Sequence, residues 1–234
     1  MIEGPCAVVI PAAGSGRRMG GVAKPWLELG GQPVLRHTLT PFLDHPRVRW
    51  VVVALRADDV AAPPAWLAGL DARVVLVEGG DERAVSVMRA LDAVPDEAAV
   101  VIVHDAARPL VTRELIDRTL AAVAEGQGAV AALPMPDTVK RVVDGRVVDT
   151  PDRSELWRAQ TPQAFPRRLL IDAYRAAALL GRTTTDDASV VERYGGHVVV
   201  VEGDARNLKV TEPADVVVAE ALIGARGWNL QRDA

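Results

Sequence analysis

The chain predicts an α/β fold: a single doubly wound, mainly parallel sheet carrying a projecting β-hairpin arm. Three observations predict it. Short valine-rich runs alternate with longer amphipathic stretches, a glycine-rich turn follows the first run directly, and one pair of strand-like runs around Asp144-Gly145 breaks the alternation.

The apolar runs are Ala7–Ile10, Trp50–Leu55, Arg73–Val77, Val100–Val103, Ala129–Leu133 and Val198–Val201. Each is short and β-branched, the pattern of a strand buried on both faces. Between them, amphipathic stretches predict helices near 32–44, 82–93, 112–125, 167–180, 186–194 and 213–224. Local signals mark several starts. Gly31 precedes the first helix, and the Asp81 carboxylate is placed to cap the second. Thr112, with Glu114 in the first turn, opens the third. Pro213 sits in the first turn of the last, after Thr211 and Glu212. The segment from Thr138 to Thr150 reads as two strands around Asp-Gly, the favoured two-residue hairpin turn. A hairpin alone is marginal in water, so it needs a surface to pack on. A second copy of the chain is the economical candidate; an extension of the main sheet is the plain alternative. One domain over 1–234 is expected, with the arm at about 137–153.

The 234 residues are 49% apolar and 25% charged, ordinary for a soluble enzyme. A net charge of −4 gives no reason to expect nucleic acid or membrane as a partner. Cys6 is the only cysteine, which excludes an internal disulfide and a cysteine-rich zinc site, and it reads as a small core residue. No apolar stretch reaches the roughly 18–20 residues of a membrane span. The N-terminus lacks a basic segment before an apolar one, with Glu3 where such a leader would be positive. A cytoplasmic location is therefore expected.

Gly14-Ser15-Gly16-Arg17-Arg18-Met19-Gly20 directly follows a predicted strand. It is not a dinucleotide fingerprint, because Met19 stands where the third glycine belongs. Nor is it a P-loop, because Lys24 lies between Ala23 and Pro25. Its backbone N–H groups suit phosphate, with Arg18 and Lys24 to neutralise charge. A glycine turn with solvent-facing arginines explains the segment equally well on its own. His104-Asp105-Ala106-Ala107-Arg108-Pro109 follows another strand, where α/β sheets bind ligands. Asp105 there suits a divalent metal held mostly by phosphate oxygens and water, whereas His104 reads as structural. His37, His45 and His197 are scattered and suggest no metal cluster. Arg153, Thr161, Thr185 and Lys209 complete the candidates, Lys209 being constrained between Leu208 and Val210. Asp186 and Asp187 read most simply as helix caps.

Together, Pro11-Ala-Ala-Gly-Ser-Gly-Arg-Arg-Met, Gly79-Gly-Asp-Glu-Arg-Ala-Val-Ser86, His104-Asp-Ala-Ala-Arg-Pro and Asp137-Thr-Val-Lys-Arg resemble one family in order and spacing. So do Trp157-Arg-Ala-Gln-Thr-Pro-Gln-Ala-Phe, Thr185-Asp-Asp-Ala-Ser and Asn207-Leu-Lys-Val-Thr. That family is the 2-C-methyl-D-erythritol 4-phosphate cytidylyltransferases of the non-mevalonate isoprenoid pathway, and the resemblance spans about residues 5–224.

The resemblance implies a nucleotidyltransferase Rossmann-like fold and transfer of CMP from CTP to methylerythritol 4-phosphate. It implies Arg18 and Lys24 for transition-state stabilisation, and Arg153 and Lys209 for holding the attacking phosphate. Arg108, Thr138, Thr161 and Thr185 match groups around that substrate. Gly80, Asp81 and Ser86, with Ala12, Ala13, Gly14, Gly16 and Asp105, match the nucleotide side. Mg²⁺ and a homodimer built through the arm are implied as well. One departure stands out: the family usually has proline before the lysine and glutamine after it, whereas Lys24 has Ala23 and Pro25. A cytidylyltransferase for another polyol phosphate, such as ribitol 5-phosphate, and a non-catalytic nucleotide-binding protein are the rival readings.

Overall fold

The computed structural model describes residues 1–14, 23–180 and 186–232, with the side chains of the last helix described as far as residue 225. The first valine run becomes β1 (Cys6–Pro11), followed by a 3-10 turn (Lys24–Trp26) and a small hairpin of β2 (Glu28–Leu29) and β3 (Gln32–Pro33). Next come α1 (Val34–Leu43), β4 (Val48–Leu55), α2 (Ala57–Ala61), α3 (Ala65–Ala68), β5 (Val74–Glu78), α4 (Arg83–Asp92) and β6 (Val100–Val103). Then follow α5 (Arg113–Ala121), β7 (Gln127–Pro134), β8 (Arg141–Val143), β9 (Arg146–Asp149) and β10 (Trp157–Pro166). The chain continues through α6 (Arg167–Leu179), α7 (Asp187–Tyr194), β11 (His197–Glu202) and α8 (Pro213–Arg232).

Seven strands form one sheet in the order β11-β7-β10-β6-β1-β4-β5. β1 pairs in parallel with β4 and β6, β4 with β5, and β7 with β11. β10 runs antiparallel to both β6 and β7. Alternation along β1 divides the core between the two faces. Cys6, Val8 and Ile10 pack with Leu35, Leu39 and Phe42 of α1 and with Leu115 and Ile116 of α5. Ala7 and Val9 face the other way, among Val87 of α4, Leu170 of α6 and Val191 of α7. Each fully buried Leu, Ile or Phe contributes about 1.5–3 kcal/mol. The sheet is doubly wound, as the alternation predicts.

Several expectations need correction. The apolar runs of β5 and β11 are not buried on both faces: these are the outermost strands, and Val75 and Val200 are 42% and 49% exposed. α1 starts at Val34 rather than near residue 32, because Gln32 and Pro33 pair with Leu29 and Glu28. The turn between them uses Gly30 and Gly31 at φ of 55° and 75°, where a side chain is strained. Asp81 does not cap α4; Glu82 occupies that position and makes no side-chain cap. The Thr112 cap is real, its hydroxyl accepting from the Leu115 N–H at 3.3 Å. α8 runs to Arg232, past its expected end.

β10 had no sequence forecast, nor had α2 and α3. Gln160, Thr161, Pro162 and Gln163 interrupt its apolar pattern, and its pairing with β7 shifts register between Ala159 and Gln163. Buried polar groups are tolerable there because they are hydrogen-bonded. Gln163 donates to Asp186 and accepts from the Ala188 N–H, and Gln160 donates to the Asp204 carbonyl.

The arm is a separate two-stranded sheet, β8 with β9, and not an extension of the main one. Asp144 and Gly145 have φ of 49° and 75°, as the favoured hairpin turn requires. Val142, Val143, Val147 and Val148 are all exposed on it.

A Cβ added at Gly128 would run into the Phe165 ring, at the contact between β7 and β10. Gly128→Ala is expected to cost about 1–3 kcal/mol, read as a lower urea midpoint. An unchanged midpoint would mean that Phe165 moves aside freely.

Candidate active site

Strand order reverses at β1: β4 and β5 lie to one side of it, β6 to the other. Open α/β sheets bind ligands outside the carboxyl ends of their strands at such a point. A cleft of about 470 Å³ opens there. Ala12, Ala13 and Gly14 line it after β1, Gly80 to Arg83 with Ser86 beside α4, and Asp105 to Ala107 after β6; Lys24, Pro25 and Lys209 complete it. A more open depression of about 620 Å³, between Met1–Pro5 and Pro46–Trp50, sits at the amino ends of β1 and β4. No expected site residue lines that one.

Close packing builds the glycine wall. A Cβ at Gly79 would come within 2.6 Å of the Ala13 Cβ and 2.8 Å of the Ser86 Oγ. The Ser86 hydroxyl accepts from the Gly80 N–H at 3.1 Å and lies 3.2 Å from the Gly80 and Glu82 carbonyls. The backbone of Gly79 and Gly80 is thus held against the segment after β1.

Asp105 occupies the centre of the charge distribution. Its Oδ1 accepts from Arg83 Nε at 3.0 Å; its Oδ2 lies 2.9 Å from Lys209 Nζ and 3.5 Å from Arg108 Nε. Burial alone would raise its pKa, but Arg83, Lys209 and Arg108 outweigh burial and hold it well below the usual carboxylate range. On the far side of Arg83, Asp187 takes both Nη atoms at 3.2 and 2.6 Å, and Tyr174 donates to the same carboxylate at 2.6 Å.

Arg108 and Thr161 lie behind the cleft, 9% and 3% exposed. The Thr161 hydroxyl accepts from the Asp105 N–H at 3.0 Å. Arg108 donates to the Asn207 carbonyl at 2.8 Å, and Asn207 donates to the Thr161 carbonyl at 2.7 Å. The two residues therefore tie the loop after β6 to the loop carrying Lys209. Lys24 lines the cleft from its 3-10 turn, with Ala23 extended before it. Burial raises the Asp215 carboxyl, yet hydrogen bonds from Thr211 and Glu212 and the charge of Lys24 bring it below its ordinary value.

Arg18, Gly16 and Thr185 lie outside the described residues. Arg153 and Thr138 are exposed at the base of the arm, and neither lines the cleft. Arg153 donates instead to the Pro136 carbonyl at 2.8 Å. Asp186 caps α7 through the Ser189 N–H, but Asp187 is no simple cap: it is fully buried. Arg83 and Tyr174 are the residues missed. One signal was legible, since Arg83 opens α4 with no acid in the first turn, against the helix dipole.

Among the described residues, no three His, Cys, Asp or Glu groups converge as a metal site. Both Asp105 oxygens already serve cations, so magnesium fits here only as an ion carried mainly by phosphate oxygens. No described helix is long and apolar enough to cross a membrane.

Comparison with known proteins agrees with this geometry. The 2-C-methyl-D-erythritol 4-phosphate cytidylyltransferase family matches residues 6–225. This chain belongs to that family. A cytidylyltransferase of this name from Symbiobacterium thermophilum is 47% identical over 224 residues, covering 95% of this chain and 94% of that protein. One from Syntrophotalea carbinolica is 44% identical, covering 94% and 97%. The crystal structure of the Thermus thermophilus cytidylyltransferase superposes with a TM-score of 0.79 at 38% identity, covering 93% of this chain and 98% of that one. Family membership thus rests on nearly the whole chain.

His104, fully buried, donates from Nε2 to the Arg108 carbonyl at 3.2 Å, and its ring centre lies 5.0 Å from that of Phe42. Burial pushes its pKa down to about 3. In the unfolded chain the value is about 6.5, so between the two only the unfolded state takes up the proton. Stability therefore falls as pH drops below that value. From pH 7 to pH 5 the native chain should lose about 2 kcal/mol more than His104→Gln, measured by urea unfolding. Parallel slopes would remove His104 as the cause.

Proposed function

We propose that the protein transfers CMP from CTP to 2-C-methyl-D-erythritol 4-phosphate, releasing pyrophosphate. One observation carries this reading: in a chain of this family, Lys24 and Lys209 line the same cleft as Ala12, Ala13, Gly14 and Gly80, at the strand-order reversal. A phosphate oxygen of the alcohol attacks the α-phosphorus of CTP in line. The bond to the pyrophosphate oxygen breaks, so the protein's task is to position two anions and stabilise added charge.

Lys24 and Arg18 stabilise the developing charge, while Lys209 and Arg153 hold the attacking phosphate. Gly14 and Gly16 serve the triphosphate; Gly80, Asp81 and Ser86, with the backbone of Ala12 and Ala13, take the cytosine and ribose. Thr138 and Thr185 serve the alcohol, and buried Arg108 and Thr161 support the Asp105 loop behind them. Asp105 would be the residue to hold a magnesium ion carried mainly by phosphate oxygens, and such an ion would add charge neutralisation.

The exposed valine arm supports a homodimer in which Arg153 and Thr138 reach the neighbouring subunit's cleft. It also explains why neither residue lines the cleft of its own chain. The same reading takes residues 1–234 as one cytidylyltransferase domain acting in the cytoplasm. Val142 and Val147 are paired across the hairpin and 53% and 60% exposed.

Lys24→Ala should lower kcat by about a hundredfold or more, the scale for one transition-state donor, in a pyrophosphate-release assay with CTP and methylerythritol 4-phosphate. Near-normal turnover would remove Lys24 from the mechanism, and release with ribitol 5-phosphate alone would replace the alcohol. Val142→Asp with Val147→Asp should convert a dimer to a monomer in sedimentation and lower turnover along with it. A monomeric double variant with full activity would end the shared-site reading.

A further inference from the structure

Four charged side chains alternate in sign from the interior to the cleft: Asp187, Arg83, Asp105 and Lys209. Their side chains are 0%, 28%, 9% and 39% exposed. They come from the start of α7, the start of α4, the loop after β6 and the loop before α8, so a single line of contacts joins four separate segments. We propose that Arg83 is a positioning residue: anchored by Asp187 and Tyr174, it fixes the Asp105 carboxylate and, through it, the Lys209 ammonium. The role of Lys209 in this inference rests on the proposed cytidylyl transfer.

The geometry requires arginine. Both Nη atoms grip Asp187 while Nε, on the other edge of the same plane, reaches Asp105. A lysine offers one point charge and cannot hold two carboxylates at separate edges. The hydroxyl of Tyr174, itself buried, adds a third grip on Asp187. Removing one member leaves a buried charge uncompensated, so the line acts as a unit rather than as separate pairs. Asp105 then presents Oδ2 to Lys209 in one orientation.

A double-mutant cycle tests this with Arg83→Gln, Lys209→Ala and both together, read as kcat and KM by pyrophosphate release and as the dissociation constant of inorganic phosphate by calorimetry. Arg83→Gln and the nearly isosteric Asp187→Asn should each lower kcat/KM about tenfold or more. On the Lys209→Ala background, Arg83→Gln should cost less than about threefold further, because residues acting as a unit are not additive. Arg83→Lys should fail to restore activity. Multiplying losses would overturn the proposal. So would a lower Tm in Asp187→Asn and Tyr174→Phe with kcat/KM within about twofold of native. If Arg83→Gln does not fold, those two conservative variants carry the test. If the native protein releases no pyrophosphate, the proposed function fails, and the same cycle read on the affinity for inorganic phosphate decides the positioning role by itself.

Discussion

A carboxylate kept ionised inside the protein is the constraint on which the site depends. Asp105 is 7% exposed, and an unpaired charge at that depth is prohibitive. Its stability as an anion requires three cations, Arg108 from its own loop and Arg83 and Lys209 from two others, and its own N–H is held by Thr161. Each partner fixes a segment. The glycine wall, the loop after β6, the bend of β10 and the loop before α8 are thereby brought to one point.

Strand order explains why that point is where it is. With β6 on one side of β1 and β4 and β5 on the other, the chain returns to β6 through α4 on the face opposite α1 and α5, and the crevice opens where the start of α4 meets the loops after β1 and β6. Behind it, a small apolar cluster mounts the two cleft lysines on common ground. Leu29 and Val34 follow the Lys24 turn, Val210 follows Lys209, and Ala219 of α8 packs among them. Val210 also donates its N–H to the Ala107 carbonyl at 2.8 Å, joining this cluster to the Asp105 loop. The C-terminal helix is therefore part of the scaffold that sets the spacing of Lys24 and Lys209.

The arm obeys a different logic. Its turn is dictated locally by Asp144-Gly145, but four exposed valines on two short strands bury too little surface to be an end in themselves. A partner surface is the natural complement of that composition. At its base, Arg153 donates to the Pro136 carbonyl and does not line the cleft of its own chain, in keeping with the proposed shared site.

Much of this was legible from sequence because it depends on near neighbours. Valine runs became strands within one or two residues of their expected ends, Thr112 capped its helix, and Asp-Gly made its hairpin. The His104-Asp105 motif directly follows β6, as its place after a valine run predicted, and Asp105 lines the cleft there. Tertiary structure decided the rest. β10 could not be read from apolar periodicity, because Gln160 and Gln163 are buried only by virtue of partners 23 to 47 residues away. Asp81 lost its cap because Ser86 and the packing of Gly79 against Ala13 set that turn instead. Asp187 passed for a helix cap because its true partner, Arg83, lies 104 residues earlier. Local patterns record what a residue needs from its own turn of chain; the neutralisation of a buried charge is met across the fold, and only folding brings those partners within bonding distance.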